Sequence, residues 1–114
     1  GHPRAVRGDT RISSRSSRER RPTVHAVRSG SMELQEVQDL MEQLYGEADR
    51  ERGIPATVAW LCEEVGELAQ AVRKQSPDRQ LHELGDVLAW LSSLANQLDL
   101  SLDDAMRRYV EDPP

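Results

Sequence analysis

"WLCEEVGELAQAV" (residues 60–72) decides how the chain is read. Val65, Leu68 and Val72, with Val58 and Leu61 just upstream, recur three and four residues apart. That spacing places apolar side chains on one face of an α-helix, and these five are the expected core stripe. Glu63, Glu64 and Glu67 are set among them. Trp60, Glu64, Glu67, Ala71 and Lys74 form a second stripe, turned by about 60° from the first. The acids therefore border the apolar stripe and do not lie opposite it. A helix built only for burial has no use for charge in that place.

Working outward, Pro55 suits the first turn of this helix, where its missing N–H costs nothing, so the helix is expected over about 55–75. "RGIP" (52–55) separates it from an earlier helix over 33–51, in which Leu34, Val37, Met41, Leu44 and Ala48 are spaced three and four apart. "QSPD" (75–78) marks a short turn into a third helix over about 78–98, which such a connection makes antiparallel to the second. Leu84, Leu88, Leu91, Ala95 and Leu98 are its expected core stripe, and Glu83, Asp86, Trp90, Ser93 and Gln97 run alongside. A fourth helix begins in "DLSLDDAM" (99–106), with Ser101 as N-cap and Asp104 as capping-box acid. No period-two run is flanked by turn residues, so the expected fold is all-α, a small antiparallel four-helix bundle.

Packed antiparallel, the second and third helices can bring Glu64, Glu67, Glu83 and Asp86 to one pocket. Carboxylates converging in this way repel one another, and a hard divalent cation removes that penalty. A single Glu-x-x-Glu pair is usually a solvated helix face. Two acidic pairs on neighbouring helices, each beside the apolar stripe, favour a metal site. No Glu lies three residues before His82, so the Glu-x-x-His mark of di-iron bundles is missing. His2, His25 and His82 do not make zinc spacing. Mg²⁺ is expected, with Mn²⁺ as a substitute. His82 is read as a surface residue and Cys62 as a small packed group.

Composition divides the chain in two. Residues 1–31 carry eight Arg against Asp9 and Glu19, a net of +6, whereas residues 32–114 carry −11; together these make the formal −5. The leader has no apolar periodicity and is expected to be disordered and to derive from an expression vector, ending at Gly30-Ser31 before Met32. The helical domain is expected over 32–112. Nucleic-acid binding is expected, if at all, only from the basic leader, because the acidic remainder repels polyanions. No run approaches the ~20 apolar residues that cross a bilayer, and the lone cysteine suits a reducing compartment, so a soluble cytoplasmic protein is expected. A domain of this size buries only about 60% of its unfolded-chain surface, which points to oligomerisation for the rest.

Glu64-x-x-Glu67, fifteen residues, then Glu83-x-x-Asp86 resembles the signature of MazG-like nucleoside triphosphate pyrophosphohydrolases, in the all-α NTP pyrophosphatase superfamily. "EEVGELAQAVRK" (63–74), "ELGDVLAWLSSLAN" (83–96) and "LSLDDAM" (100–106) carry the likeness across residues 33–110. The resemblance implies a dimer or tetramer with sites near subunit contacts. It also implies Mg²⁺-dependent hydrolysis of NTPs or dNTPs to the monophosphate and pyrophosphate, as nucleotide-pool housecleaning. Glu64, Glu67, Glu83 and Asp86 would be the metal ligands, and Glu63 an extra acid for a further ion or for water. Relatives often continue past the fourth helix, so phosphate-binding residues beyond Pro114 are expected to be missing, and the chain has no Phe to hold a base.

On this reading a metal-activated water attacks the α-phosphorus, and Glu63 or Glu64 takes its proton. Lys74, Arg73, Arg107 and Arg108 are candidates for the phosphates, the last two from the same or another subunit. Asn96 is a candidate for ribose or phosphate, and Trp60 and Trp90 for the base. The alternatives are a phosphoribosyl-ATP pyrophosphohydrolase and a non-catalytic helical dimerisation module.

Overall fold

The computed structural model describes residues 30–114. The expectations for the leader lie outside the described residues, apart from its last two positions. Within them are four helices: α1 (Leu34–Arg52), α2 (Ile54–Lys74), α3 (Pro77–Gln97) and α4 (Leu102–Glu111). The expected helix ends fall within a residue or so of these.

One residue joins α1 to α2. Gly53 sits at φ 94°, ψ 158°, a region open essentially to glycine alone. Its N–H donates to the Asp49 carbonyl, closing α1, and its own carbonyl accepts from Thr57 N–H and Thr57 Oγ1, opening α2. Pro55 occupies the first turn of α2, as expected. Ser76 caps α3, its hydroxyl accepting from Arg79 N–H. The turn after α3 places Asp99 at φ 60°, and Leu100 N–H returns to the Ala95 carbonyl. This is the closure of a Schellman motif. Ser101 Oγ accepts from Asp104 N–H at 3.1 Å, so the fourth helix starts where the cap was expected. The Asp104 carboxylate pairs with Arg107.

α2 and α3 make the most extensive helix contact, and α1 packs chiefly on α3. α4 lies against α1 and buries no residue of its own. The bundle proper is therefore three helices with a fourth laid on its side.

The burial pattern corrects the expected core. In the single chain the buried residues of α2 and α3 are Thr57, Glu64, Ala71, Glu83, Trp90, Ser92, Ser93 and Ala95. The stripes expected to form the core face outward: Val58, Val65 and Val72 on α2, and Leu84, Leu88, Leu91 and Leu98 on α3, are all exposed, with Val72 at 63%. Of that third-helix stripe only Ala95 is buried. The physical reason is fit. Small residues such as Ala71, Ser92, Ser93 and Ala95 let two helices approach closely, whereas the Leu and Val stripes follow a seven-residue repeat suited to another pair of helices.

Candidate functional site

Two contacts set the register of α2 against α3. Near one end the rings of Trp60 and Trp90 stack, centroids 5.9 Å apart and planes 12° from parallel. Near the other, Gln80 Nε2 donates to the carbonyls of Ala71 and Gln75, at 3.2 Å each. Equal rise along both helices then puts Glu64 near the level of Asp86, and Glu67 near that of Glu83. The four expected ligands thus lie at matching levels along α2 and α3, between these two contacts. Glu64 and Glu83 are fully buried, at 0% and 1% exposure, and Glu63, Glu67 and Asp86 are half-buried.

Two of these acids have basic neighbours. Arg79 donates to Glu83 Oε2 at 2.8 Å, and His82 Nε2 lies 3.4 Å from Asp86 Oδ2. His82 is on the surface, as expected, but it also joins Glu83 and Asp86 in a group whose candidate ligand atoms all lie within 4.8 Å of one another. Glu64 and Glu67 are not part of that group. The donor set is dominated by carboxylate oxygens with one imidazole, which fits a hard divalent cation. Arg79 is not weighed in the sequence reading, and His82 is read there only as a surface residue. The signal was their spacing, four residues before Glu83 and Asp86 respectively.

The aromatic end holds a second group absent from the sequence reading. The Arg52 guanidinium sits 4.7 Å from the Trp90 ring centroid and donates to Asp49 Oδ1 at 2.7 Å. Asp49 is itself buried, at 2% exposure. Trp90 has no exposed surface, so in the single chain it cannot stack on a base, and its expected contact is corrected to a supporting role. Trp60 remains half-exposed on the neighbouring helix.

Asn96 is also reassigned. Its Nδ2 donates to the Gln38 carbonyl and its Oδ1 accepts from Gln38 Nε2, both at 2.9 Å. Gln38 Nε2 also donates to the Leu100 carbonyl, and Gln38 Oε1 accepts from Leu102 N–H. The pair ties α1 to the α3–α4 turn, which occupies Asn96 structurally. Lys74 and Arg73 end α2 in exposed positions. Arg107 pairs with Asp104, and Arg108 with the ring and hydroxyl of Tyr109, so both act within α4 in the single chain.

None of the described helices is long and apolar enough to cross a membrane. The MazG nucleotide pyrophosphohydrolase domain matches residues 52–112, which takes in α2, α3 and α4. "Uncharacterized protein YvdC" of Bacillus subtilis (strain 168) is 31% identical, over 70% of this chain and 92% of that protein. With over half its length matching the domain and a relative aligned almost end to end, the chain belongs to the MazG nucleotide pyrophosphohydrolase family.

Proposed function

We propose that the protein is a Mg²⁺-dependent pyrophosphohydrolase that converts NTPs or dNTPs to the monophosphate and pyrophosphate, clearing unwanted nucleotides from a cytoplasmic pool. The observation that carries this reading is the pair of fully buried carboxylates, Glu64 and Glu83, on the two helices of one seam, with Glu67 and Asp86 alongside. Burying two carboxylates is expensive, and a nucleotide hydrolase has a use for them that a structural bundle does not.

Glu64, Glu67, Glu83 and Asp86 would hold the divalent cation, with Mn²⁺ as a substitute. When bound, the ion neutralises these acids and the phosphate chain and makes nearby water more acidic. The chain's own groups do the remainder. Glu63, half-buried beside Glu64 and Glu67, accepts the proton of the attacking water. Lys74 and Arg73 lie at the turn end of the seam and receive the pyrophosphate. Trp60 lies at the opposite end, its ring backed by Trp90 and Arg52, and offers a face to the base. The substrate therefore lies along the seam, phosphates towards the α2–α3 turn.

The active form is a homo-oligomer. The Val stripe of α2 and the Leu stripe of α3 are turned by about 100° in the same sense from Glu64 and Trp90 respectively. Because the helices run antiparallel, the stripes lie on one side of the pair, making a continuous apolar face. Each such side chain adds about 1.5–3 kcal/mol when buried, so a second copy of that face is its natural cover. Arg107 and Arg108 of a neighbouring subunit would then serve the substrate's phosphates.

The test is a panel of NTPs and dNTPs with Mg²⁺, scored for pyrophosphate against orthophosphate, with Glu67→Gln as control. Pyrophosphate release by the wild type alone supports the reading. Orthophosphate as first product, or full turnover by the variant, refutes it.

A further inference from the structure

We propose that Arg79 is a displaceable counter-ion: it neutralises Glu83 in the metal-free chain, and when a divalent cation takes that carboxylate its guanidinium is released to bind the substrate's phosphates. The inference rests on the metal-dependent reading above and adds how the site moves between its empty and loaded states.

Local helix energetics do not account for an arginine at this position. Residue 79 is in the first turn of α3, three residues after the Ser76 cap. A cation there opposes the positive end of the helix dipole. The pair also runs basic-then-acidic along the chain, the weaker order for an i, i+4 contact. What the arginine does satisfy is a carboxylate with 1% exposure, bonded at 2.8 Å.

The two partners are unequally anchored. The Glu83 side chain is enclosed in the seam, whereas that of Arg79 is 47% exposed. Withdrawing the carboxylate would move a packed group, while withdrawing the guanidinium only returns it to water. Arg79 is therefore the partner that leaves. A cation bound through Glu83 would also repel the guanidinium within a few ångströms. Once free, a planar fork with five N–H donors matches phosphate oxygens well. Its place near the α2–α3 turn sets it with Arg73 and Lys74, at the end assigned to the pyrophosphate.

The experiment is calorimetric titration of the full chain, first with Mn²⁺ alone and then with inorganic pyrophosphate at saturating Mn²⁺, for wild type, Arg79→Gln and Arg79→Lys. Arg79→Gln should bind Mn²⁺ about tenfold more tightly, since its competitor is gone, and pyrophosphate about tenfold more weakly. Arg79→Lys, which keeps the charge without the fork, should leave Mn²⁺ affinity near wild type and fall between the two for pyrophosphate. It also provides the comparison if the glutamine variant does not fold. Mn²⁺ binding by the wild type that Arg79→Gln equals or weakens would overturn the exchange alone. A wild type that binds no Mn²⁺ would overturn the metal-dependent function and this inference together.

Discussion

The two long faces of the α2–α3 pair contrast in a way that inverts the usual order of a small domain. The face turned inward carries Glu64, Glu67, Glu83, Asp86 and two tryptophans, while the face turned outward carries valines and leucines. Ordinarily burial sorts side chains the other way. Such an arrangement is reasonable if the single chain is not the functional unit and the buried acids serve a ligand. A cation would complete the inner face and another subunit the outer one. The inversion thus points to two partners, one ionic and one apolar.

The largest expected effect is at the inner face. Glu64→Gln should lower kcat/KM by at least about 100-fold, a decrease no smaller than those seen when groups supporting a metal site are removed. A variant that keeps its turnover would make the buried acids structural and erase the contrast. At the outer face, Leu88→Glu should split the assembly, seen as a fall in mass by light scattering. The accompanying destabilisation should be about 1.5–3 kcal/mol for each large apolar side chain returned to water. If the mass does not change, the apolar face is not the joint between copies.

Smaller effects sharpen the comparison by probing the frame that holds the two faces apart. Gly53→Ala should destabilise by about 1–3 kcal/mol in chemical unfolding, since its backbone conformation is closed to residues with a side chain. Asn96→Ala should cost about 1–3 kcal/mol because Gln38 loses two of its hydrogen bonds and the tie to the α3–α4 turn weakens, with KM nearly unchanged. A large rise in KM with stability intact would return Asn96 to the substrate. The smallest effect is at the α3–α4 turn, where Asp99→Gly should stabilise by about 0.5–1 kcal/mol by relieving the left-handed conformation.

Helix number, order and ends were legible because their signals are local. Gly53, Pro55, Ser76, Pro77 and Ser101 each act on the backbone within a turn of themselves. That the acidic pairs fall on two adjacent antiparallel helices was legible too, since three- and four-residue spacing and a short turn set it; the ligand atoms that come together are those of His82, Glu83 and Asp86. What was misread shares one cause. Trp90 and the Leu and Val stripes were assigned by helical face, and Asn96 by resemblance; neither says which neighbour will cover a side chain.

By itself, then, the sequence determined four helices and an antiparallel central pair, which follow from periodicity and capping, and its acidic motifs carried the resemblance to one family. Only the tertiary structure decided which stripe turns inward, that Arg79 and His82 accompany the acids, and that Asn96 belongs to the frame. Those outcomes depend on close approach between segments far apart in the chain, where side-chain size selects the contact and hydrophobicity alone does not.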